Sequence, residues 1–204
     1  MPGMLMVFDI NETLLDLAPL DDVLGGAEVR TRWFDLLIHT ALVVTASGRY
    51  QDFAQLAGAC ARTVAPEADL PRLAAALRSL PPHPDVEPAL ADLRDQGHRL
   101  VALGNSPQAV IEAQLGDLGF DAIYSAESAG ALKPSPAAYA LVEHAGEPPV
   151  MIAAHDWDIA GAQAAGMRTA FVTRDGRLPL PAHPSPDWTV TDLAEWARSL
   201  RTTS

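Results

Sequence analysis

The chain has 204 residues, a hydrophobic content of 49% and a formal net charge of −12. The length suits one α/β domain that carries an inserted subdomain, and the hydrophobic content supports a packed core. The acidic balance argues against nucleic-acid binding, because phosphate backbones bind basic surfaces. No apolar run approaches the roughly 18 residues of a membrane span, and no cleavable leader is visible, so we expect neither a nucleic-acid nor a membrane partner.

Short apolar runs recur along the chain and alternate with stretches of helical periodicity. Their hydrophobicity is continuous rather than alternating, which is typical of parallel strands that are buried on both faces. The alternation predicts an α/β fold, a doubly wound parallel sheet covered by helices. The predicted strands are residues 4–8, 100–103, 150–153, 169–172 and 188–190, with a further short segment around Ile123.

A long block without a clear strand separates the first two predicted strands and interrupts the α/β pattern. Within it, residues 27–43, 50–64 and 69–79 have the apolar spacing of helices and are punctuated by prolines. We therefore predict a helical cap domain over residues 15–87, inserted into a core domain formed by residues 1–14 and 88–204. We expect the cap to close over the site of the core as a lid.

The end of the chain is expected to form one more helix. Thr191 is the predicted N-cap, the helix runs through Leu200, and residues 202–204 are expected to fray. The only cysteine, Cys60, cannot form an internal disulfide, which suits a reducing compartment and predicts a cytoplasmic protein. Because Cys60 lies in an alanine-rich helical stretch, we interpret it as a small core residue.

Polar residues follow the predicted strands at the edge of the sheet where ligands bind in open α/β folds. Asp9 ends the first strand and is a candidate nucleophile, since a carboxylate can attack an electrophilic carbon or phosphorus and form an ester. Lys133 can hold that carboxylate ionised, and Asp158 can activate the water that cleaves the ester. Asn105 offers an amide donor to an anion. Taken singly, Asp9 and Asp158 also fit helix caps, and Lys133 fits an exposed turn.

Five segments together resemble the haloacid dehalogenase-like hydrolase superfamily, and in particular its L-2-haloacid dehalogenase (type II) branch. The resemblance covers nearly the whole chain. The segments read FDINETLLDL at the start, VALGNSPQAV after the second strand, KPSPAAY from Lys133, AAHDWDIAGAQAAGMRTAFVTR towards the end, and a cap segment from Trp33 to Phe53.

The resemblance implies a role for several residues. Asp9 corresponds to the nucleophile, Lys133 to its partner and Asp158 to the activator of water, while Tyr139 would support Lys133. Asn105 and Trp157 correspond to residues of the halide or substrate cradle. Asn11, Ser106 and His155 are further candidates for substrate binding. The resemblance also implies a Rossmann-like core, a small organic acid as substrate, no cofactor and a possible homodimer.

The chain departs from this pattern at several positions. Gly104 replaces a serine that helps to bind the substrate carboxylate, and His155 replaces an asparagine. Phe34 replaces the cap arginine that receives the halide; Arg32, two residues earlier, is a candidate substitute. His155 could bind a carboxylate or relay a proton, since its charge changes near neutral pH, or it could be a hydrogen-bonded neighbour of the site.

Three functions remain open at this stage. Asn11 cannot protonate a leaving alkoxide, and Ala153 stands where the phosphatases of the superfamily carry a metal-binding aspartate, which favours dehalogenation of a 2-haloacid without a metal. A Mg²⁺-dependent small-molecule phosphatase is the alternative, and Asp156 could contribute to its metal site. A binding protein with the same fold and altered catalysis is the third.

Four apolar or aromatic residues of the predicted cap have helical spacing: Trp33, Phe34, Leu37 and Tyr50. They could line the site or form the core of the cap, and their spacing favours the core.

Overall fold

A computed structural model describes residues 3–116 and 118–201 and contains a six-stranded parallel sheet. The strand order is β3-β2-β1-β4-β5-β6, so the chain extends the sheet first to one side of β1 and then to the other. The predicted doubly wound α/β core is confirmed. The strands are β1 Leu5–Phe8, β2 Arg99–Gly104, β3 Ala122–Ser125, β4 Val150–Ala153, β5 Arg168–Val172 and β6 Trp188–Val190.

The central strand β1 shows why the apolar runs are continuous. Met6 and Phe8 belong to one buried apolar cluster, whereas Val7 belongs to a second cluster. Successive residues of a strand point to opposite faces of the sheet, so a strand covered on both faces needs apolar residues at every position. The first cluster includes Leu90 of the helix before β2, and the second includes Ile159 of the helix after β4.

Helices cover both faces of the sheet and form the insertion between β1 and β2. Short 3₁₀ segments lie at residues 18–20, 126–129 and 174–176. The α-helices are α1 Asp21–Leu24, α2 Ala27–Ala46, α3 Phe53–Val64, α4 Leu70–Leu77, α5 Val86–Asp95, α6 Gln108–Leu115, α7 Pro136–Tyr139, α8 Asp156–Ala164 and α9 Leu193–Arg201.

The insertion consists of α1 to α4, and its helices begin where side chains cap them. The carboxylate of Asp52 accepts a hydrogen bond of 2.8 Å from the backbone of Gln55, and Asp69 caps α4 in the same way. Such caps satisfy amides that have no partner inside the helix. Cys60 is buried on α3, and the prediction of a small core residue is confirmed.

The chain crosses between sheet and insertion along two paired segments. The backbone of Asp16 donates to Pro81, and that of His83 donates to Leu14, at 2.9 and 2.8 Å. Helix α5 begins at Val86 and packs on α9 and β2, so it belongs to the sheet-containing part of the chain and not to the insertion. The predicted domain boundary at residue 88 therefore lies two residues inside this helix.

At the end of the described chain, the cap of the last helix differs from the prediction. The backbone of Glu195 donates a hydrogen bond of 2.7 Å to the carboxylate of Asp192, which directly precedes α9. Asp192, and not Thr191, is therefore the N-cap, and the prediction was wrong by one position. The expected fraying of residues 202–204 concerns a segment outside the described residues. Within residues 3–116 and 118–201, no helix has the length and apolar character that crossing a membrane requires.

Candidate active site

The polar residues predicted from the sequence meet at the carboxyl end of the sheet, beside the junction of β1 and β4. The direction of strand order reverses at this junction, and such switch points are where open α/β sheets form their ligand crevices. Asp9 follows β1, Asn105 and Ser106 follow β2, Lys133 lies after β3, and His155 precedes α8. The structure thus brings together residues that are up to 149 positions apart, since Asp158 is also in this group.

Lys133 links two carboxylates in the interior of the protein. Its Nζ donates hydrogen bonds to Asp9 Oδ1 at 2.8 Å, to Asp158 Oδ2 at 2.7 Å and to the carbonyl of Leu103 at 2.9 Å. Lys133 is 1% exposed, and all three of its hydrogens are used. Burial alone would lower the pKa of Lys133, but the charges of Asp158 and Asp9 outweigh burial and raise it. The ammonium is therefore fixed in its charged form.

The second oxygen of Asp9 is held by Thr13. The hydroxyl of Thr13 donates to Asp9 Oδ2 at 2.7 Å and itself accepts a hydrogen bond of 2.9 Å from the backbone of Ala154. Although burial raises the pKa of Asp9, the charges of Lys133 and His155 and the hydrogen bond from Lys133 hold that pKa well below its usual range. Asp9 is therefore an oriented anion, which is the state that a nucleophilic carboxylate requires.

Asp158 lies behind Lys133 and has no free oxygen. Its Oδ1 accepts a hydrogen bond of 2.6 Å from the hydroxyl of Tyr139, and its Oδ2 accepts the bond from Lys133. Tyr139 therefore supports Asp158 and not Lys133, contrary to the sequence-based expectation. Gly161 permits this contact, because a Cβ atom at that position would come within 2.4 Å of the Tyr139 hydroxyl. Asp158 is fully buried, and burial together with the charge of Asp9 raises its pKa against the opposing effect of Lys133.

The turn after Asp9 carries a glutamate that sequence reasoning missed. Glu12 has a left-handed backbone with φ of 61°, and its Oε2 lies 3.0 Å from His155 Nε2 and 2.7 Å from Arg177 Nη1. Burial raises the pKa of Glu12, but the hydrogen bonds to His155 and Arg177 lower it to about 2. These partners are 143 and 165 residues away in the chain, so no local pattern could have revealed them.

His155 is enclosed on both sides of its ring. The ring stacks on Trp157 with centroids 5.5 Å apart and lies 5.7 Å from the ring of Phe34. Burial lowers the pKa of His155, but the charges of Asp9 and Glu12 and the hydrogen bond to Glu12 prevail and raise it to about 9. At neutral pH the imidazole is therefore a buried cation that lies between two carboxylates.

Two amide side chains present donors to the site. The side-chain oxygen of Asn11 accepts a hydrogen bond from Gln114 at 3.2 Å, and that of Asn105 accepts one from the backbone of Lys133 at 2.8 Å. With both oxygens used in this way, the NH₂ groups are the ends left for a ligand; the hydrogen-bond partners assign this orientation. Gln114 also donates to the carbonyl of Leu77 at 2.7 Å and so links Asn11 to α4 of the insertion, the predicted cap.

Two cavities of different character meet at the candidate site. A space of about 20 Å³ lies beside Asp9 and is lined by polar residues and aromatic rings, among them Lys133 and His155. That volume holds about one water molecule. A mostly apolar cavity of about 320 Å³ lies between α2, α3, α4 and the start of α6. Four residues line both spaces: Asn11, Phe34, Phe53 and Ser106.

The cap residues singled out in the sequence take both of the roles considered for them. Trp33, Phe34 and Leu37 are buried in the main apolar cluster and also line the larger cavity, whereas Tyr50 is half-buried against the cluster. Arg32 is exposed on α2 and is not among the residues that line either cavity. The hypothesis that Arg32 replaces the missing cap arginine is therefore wrong, because two positions along a helix turn the side chain of Arg32 by about 200° from that of Phe34.

Gly104 has a packing reason. A Cβ atom at this position would lie 2.7 Å from the terminal methyl of Ile10, so the isoleucine fills the place that a serine side chain would need. Ile10 and Gly104 both line the small space beside Asp9.

The donor set at Asp9 does not fit Mg²⁺. This ion prefers a near-octahedral shell of oxygen ligands, yet both oxygens of Asp9 and both of Asp158 are already bonded to Lys133, Thr13 or Tyr139. Asp156 accepts a hydrogen bond from Leu180 and does not line the small space. Across the described residues, no group of three or more His, Cys, Asp or Glu side chains could hold a metal ion.

Comparison with known proteins identifies relatives of similar length. The chain is 29% identical to haloacetate dehalogenase H-2 from Moraxella sp. (strain B), over 91% of this chain and 92% of that protein. It is 27% identical to (S)-2-haloacid dehalogenase H-109 from Pseudomonas putida, with coverage of 93% and 94%. In fold it is similar to L-2-haloacid dehalogenase from Xanthobacter autotrophicus with chloropropionic acid covalently bound, with a TM-score of 0.89, 22% identity and coverage of 99% and 100%.

The family itself is shown by a wider match. The family model for the haloacid dehalogenase-like hydrolases matches residues 4–166 of this chain. That range contains the nucleophile candidate, the cap, Lys133 and the whole of α8. The predicted family and the prediction of a hydrolase are confirmed, and the chain belongs to the haloacid dehalogenase-like hydrolases.

Proposed function

We propose that this hydrolase cleaves the carbon–halogen bond of a small 2-haloacid through an ester on Asp9. The observation that carries the proposal is the pair of Asp9 and Lys133, 2.8 Å apart and buried, because it presents an ionised and oriented carboxylate that can displace a halide from carbon. Two residues after Asp9 stands Asn11, which cannot protonate a leaving alkoxide. A halide leaves as an anion and needs no proton, whereas an alkoxide does. The names of the relatives from Moraxella and Pseudomonas agree with this chemistry.

The reaction proceeds in two steps. An oxygen of Asp9 attacks carbon 2 of the acid, a C–O bond forms, and the halide leaves with the electron pair of the C–X bond. Water then adds to the carboxyl carbon of Asp9, the 2-hydroxy acid departs, and one proton is released. Lys133 keeps Asp9 ionised before the first step, and Asp158, itself held by Tyr139, keeps Lys133 in place.

The substrate carboxylate is bound by uncharged donors in this proposal. The NH₂ groups of Asn11 and Asn105 and the hydroxyl of Ser106 surround the space beside Asp9. Hydrogen bonds to an anion are stronger than those between neutral groups, so three donors compensate for much of the lost hydration. Phe34 and Trp157 line the same space and supply an apolar wall beside the departing halide.

The volumes of the two cavities set the placement of the rest of the substrate. About 20 Å³ beside Asp9 cannot hold a whole haloacid, so the carbon chain extends past Phe34 and Phe53 into the cavity of about 320 Å³. The lining there includes Leu73 and Leu77, which favour an apolar substituent on carbon 2.

We further propose that the protein is cytoplasmic and forms a homodimer. The lone buried Cys60 supports the cytoplasmic location, and only the family resemblance supports the dimer.

The test compares halide release with phosphate release. Wild-type protein is incubated with chloroacetate or 2-chloropropionate, and in parallel with p-nitrophenyl phosphate and Mg²⁺. We expect halide release that a chelator does not change, and no phosphate ester turnover. Repeated turnover in ¹⁸O water should place the label in the peptide that contains Asp9. Phosphate release that depends on Mg²⁺ would favour the phosphatase, and no turnover of either compound would favour a binding protein.

A further inference from the structure

The imidazole of His155 has a nitrogen without a hydrogen-bond partner among the described residues. Its Nδ1 is buried and lies 3.4 Å from Asp9 Oδ2, close enough for an ion pair but without hydrogen-bond geometry. The opposite nitrogen is held by Glu12 at 3.0 Å, and Phe34 and Trp157 enclose the ring. The ring therefore has a fixed orientation in which Nδ1 points to the carboxylate of Asp9.

The carboxylate expected to activate water is not available in this arrangement. Both oxygens of Asp158 accept hydrogen bonds from Lys133 and Tyr139, and Asp158 is not among the residues that line the space beside Asp9. The titratable residues that do line this space are Asp9, Lys133 and His155. Asp9 carries the ester and Lys133 is an engaged ammonium, so His155 is the group that can accept a proton there.

We propose that His155, oriented by Glu12, is the general base for the water that hydrolyses the Asp9 ester, an inference that rests on the proposed function. A base at this position is within reach of a water that approaches the carboxyl carbon of Asp9, since Nδ1 is already 3.4 Å from one of its oxygens. The arrangement of a carboxylate, an imidazole and a reacting group is the one that orients a histidine base in other hydrolases.

The charge of Asp9 controls the protonation of this base. While Asp9 is ionised, it and Glu12 keep the pKa of His155 at about 9, so the imidazole carries a proton. Formation of the ester removes the charge of Asp9, and the pKa of His155 falls because one of its two anionic partners is gone. The other charged or titratable groups around the ring and the cavity on its far side are Arg177, Asp35, His39, Asp156 and His183.

The protons balance over one turnover. After the ester forms and the halide leaves, the imidazolium releases its proton to solvent. His155 then takes a proton from the attacking water, and it returns that proton to the oxygen of the departing 2-hydroxy acid. The regenerated carboxylic acid of Asp9 gives its proton to His155, which restores the ion pair. One halide and one proton are released for each water consumed.

The test separates formation of the ester from its hydrolysis. His155→Asn is mixed rapidly with 2-chloropropionate, and chloride and intact protein mass are followed in time. We expect one equivalent of chloride in a burst, an adduct on the peptide that contains Asp9, and hydrolysis slowed by about 10²- to 10⁴-fold. Glu12→Gln keeps a hydrogen bond to the imidazole and should give a smaller slowing. His144→Asn changes an exposed histidine outside the lining of both cavities and is the matched control.

The outcomes distinguish this inference from the proposed function. If wild-type protein releases no halide from any 2-haloacid, both fail. If wild-type protein turns over and His155→Asn hydrolyses its ester at the wild-type rate, only the role of His155 fails. A raised KM without an adduct also overturns it, because it places His155 in substrate binding. If His155→Asn does not fold, as judged by near-ultraviolet circular dichroism, the same adduct measurement is made on Glu12→Gln. Failure of the Asp9 ester to accumulate in Glu12→Gln would then refute the proposed roles of His155 and Glu12.

Discussion

The space beside Asp9 and the apolar cavity under the cap differ in how their residues are held. Beside Asp9, the charged groups are held by fixed partners: Lys133 makes three hydrogen bonds, and each oxygen of Asp9 accepts one. The larger cavity is lined mainly by hydrocarbon, including Leu73 and Leu77 of α4. Fixed partners preserve one geometry for chemistry, whereas apolar contacts have little directional preference. In the proposed reaction, the residues beside Asp9 therefore carry the chemistry, and the apolar cavity selects the substrate.

The largest expected effect comes from removing the nucleophile. Asp9→Asn should lower halide release by about 10⁴-fold or more, because an amide oxygen cannot form the ester. Steady-state halide release measures the loss. Asp156→Asn, at the same end of the sheet but outside the lining of the space beside Asp9, is the control and should keep its activity. Appreciable turnover by Asp9→Asn would show that Asp9 is not the nucleophile.

Lys133 tests how far the charged region depends on its central cation. Lys133→Met leaves the carboxylates of Asp9 and Asp158 buried without a counter-charge, and we expect a loss of about 3–5 kcal/mol in unfolding free energy. Urea denaturation measures this loss. The double variant Lys133→Met/Asp158→Asn should regain part of the stability but no activity, since one buried charge is removed while Asp9 remains unsupported. If Lys133→Met alone is as stable as wild type, the buried ion pairs of Lys133 with Asp9 and Asp158 would be contradicted.

The buried cation at His155 predicts how stability depends on pH. Its folded pKa of about 9 lies above the ordinary value of 6.5. The stabilisation is therefore fully present below pH 6.5 and is lost as the pH rises through about 9, with a size of roughly 3 kcal/mol. Unfolding free energies between pH 6 and 10 measure it. In His155→Asn this decline should be much smaller; an unchanged decline would assign the effect to other groups.

The smallest expected effect concerns selectivity in the apolar cavity. Ala74 is exposed on α4 and lines the cavity, so Ala74→Phe should narrow it with little cost in stability. We expect kcat/KM for a 2-haloacid with a longer carbon chain to fall about 10-fold relative to chloroacetate. Ala75→Phe, one residue along at an exposed position outside the cavity lining, is the matched control. Equal effects of both variants would show that substrate selection does not occur under the cap.

The order of elements was readable from the sequence for a physical reason. Parallel strands buried on both faces must be apolar throughout, so the runs around Val7 and Met151 were recognisable, and Asp9 and Lys133 followed from their places after strands. The helices of the cap followed from their apolar spacing, as Phe53–Val64 shows. The cap of the last helix was misplaced by one residue because Thr191 and Asp192 are both good N-cap residues.

Contacts between distant residues were decided by the tertiary structure alone. The sequence identified Tyr139 and Asp158, but not that Tyr139 would bond to Asp158 and leave it without a free oxygen. It contained Glu12, yet the ion pairs of Glu12 with His155 and Arg177 depend on a turn with φ of 61° and on segments more than a hundred residues away. Local patterns report which residues follow a strand or face a core, whereas the direction of a buried side chain is set by packing around it, and here that packing points His155 at Asp9.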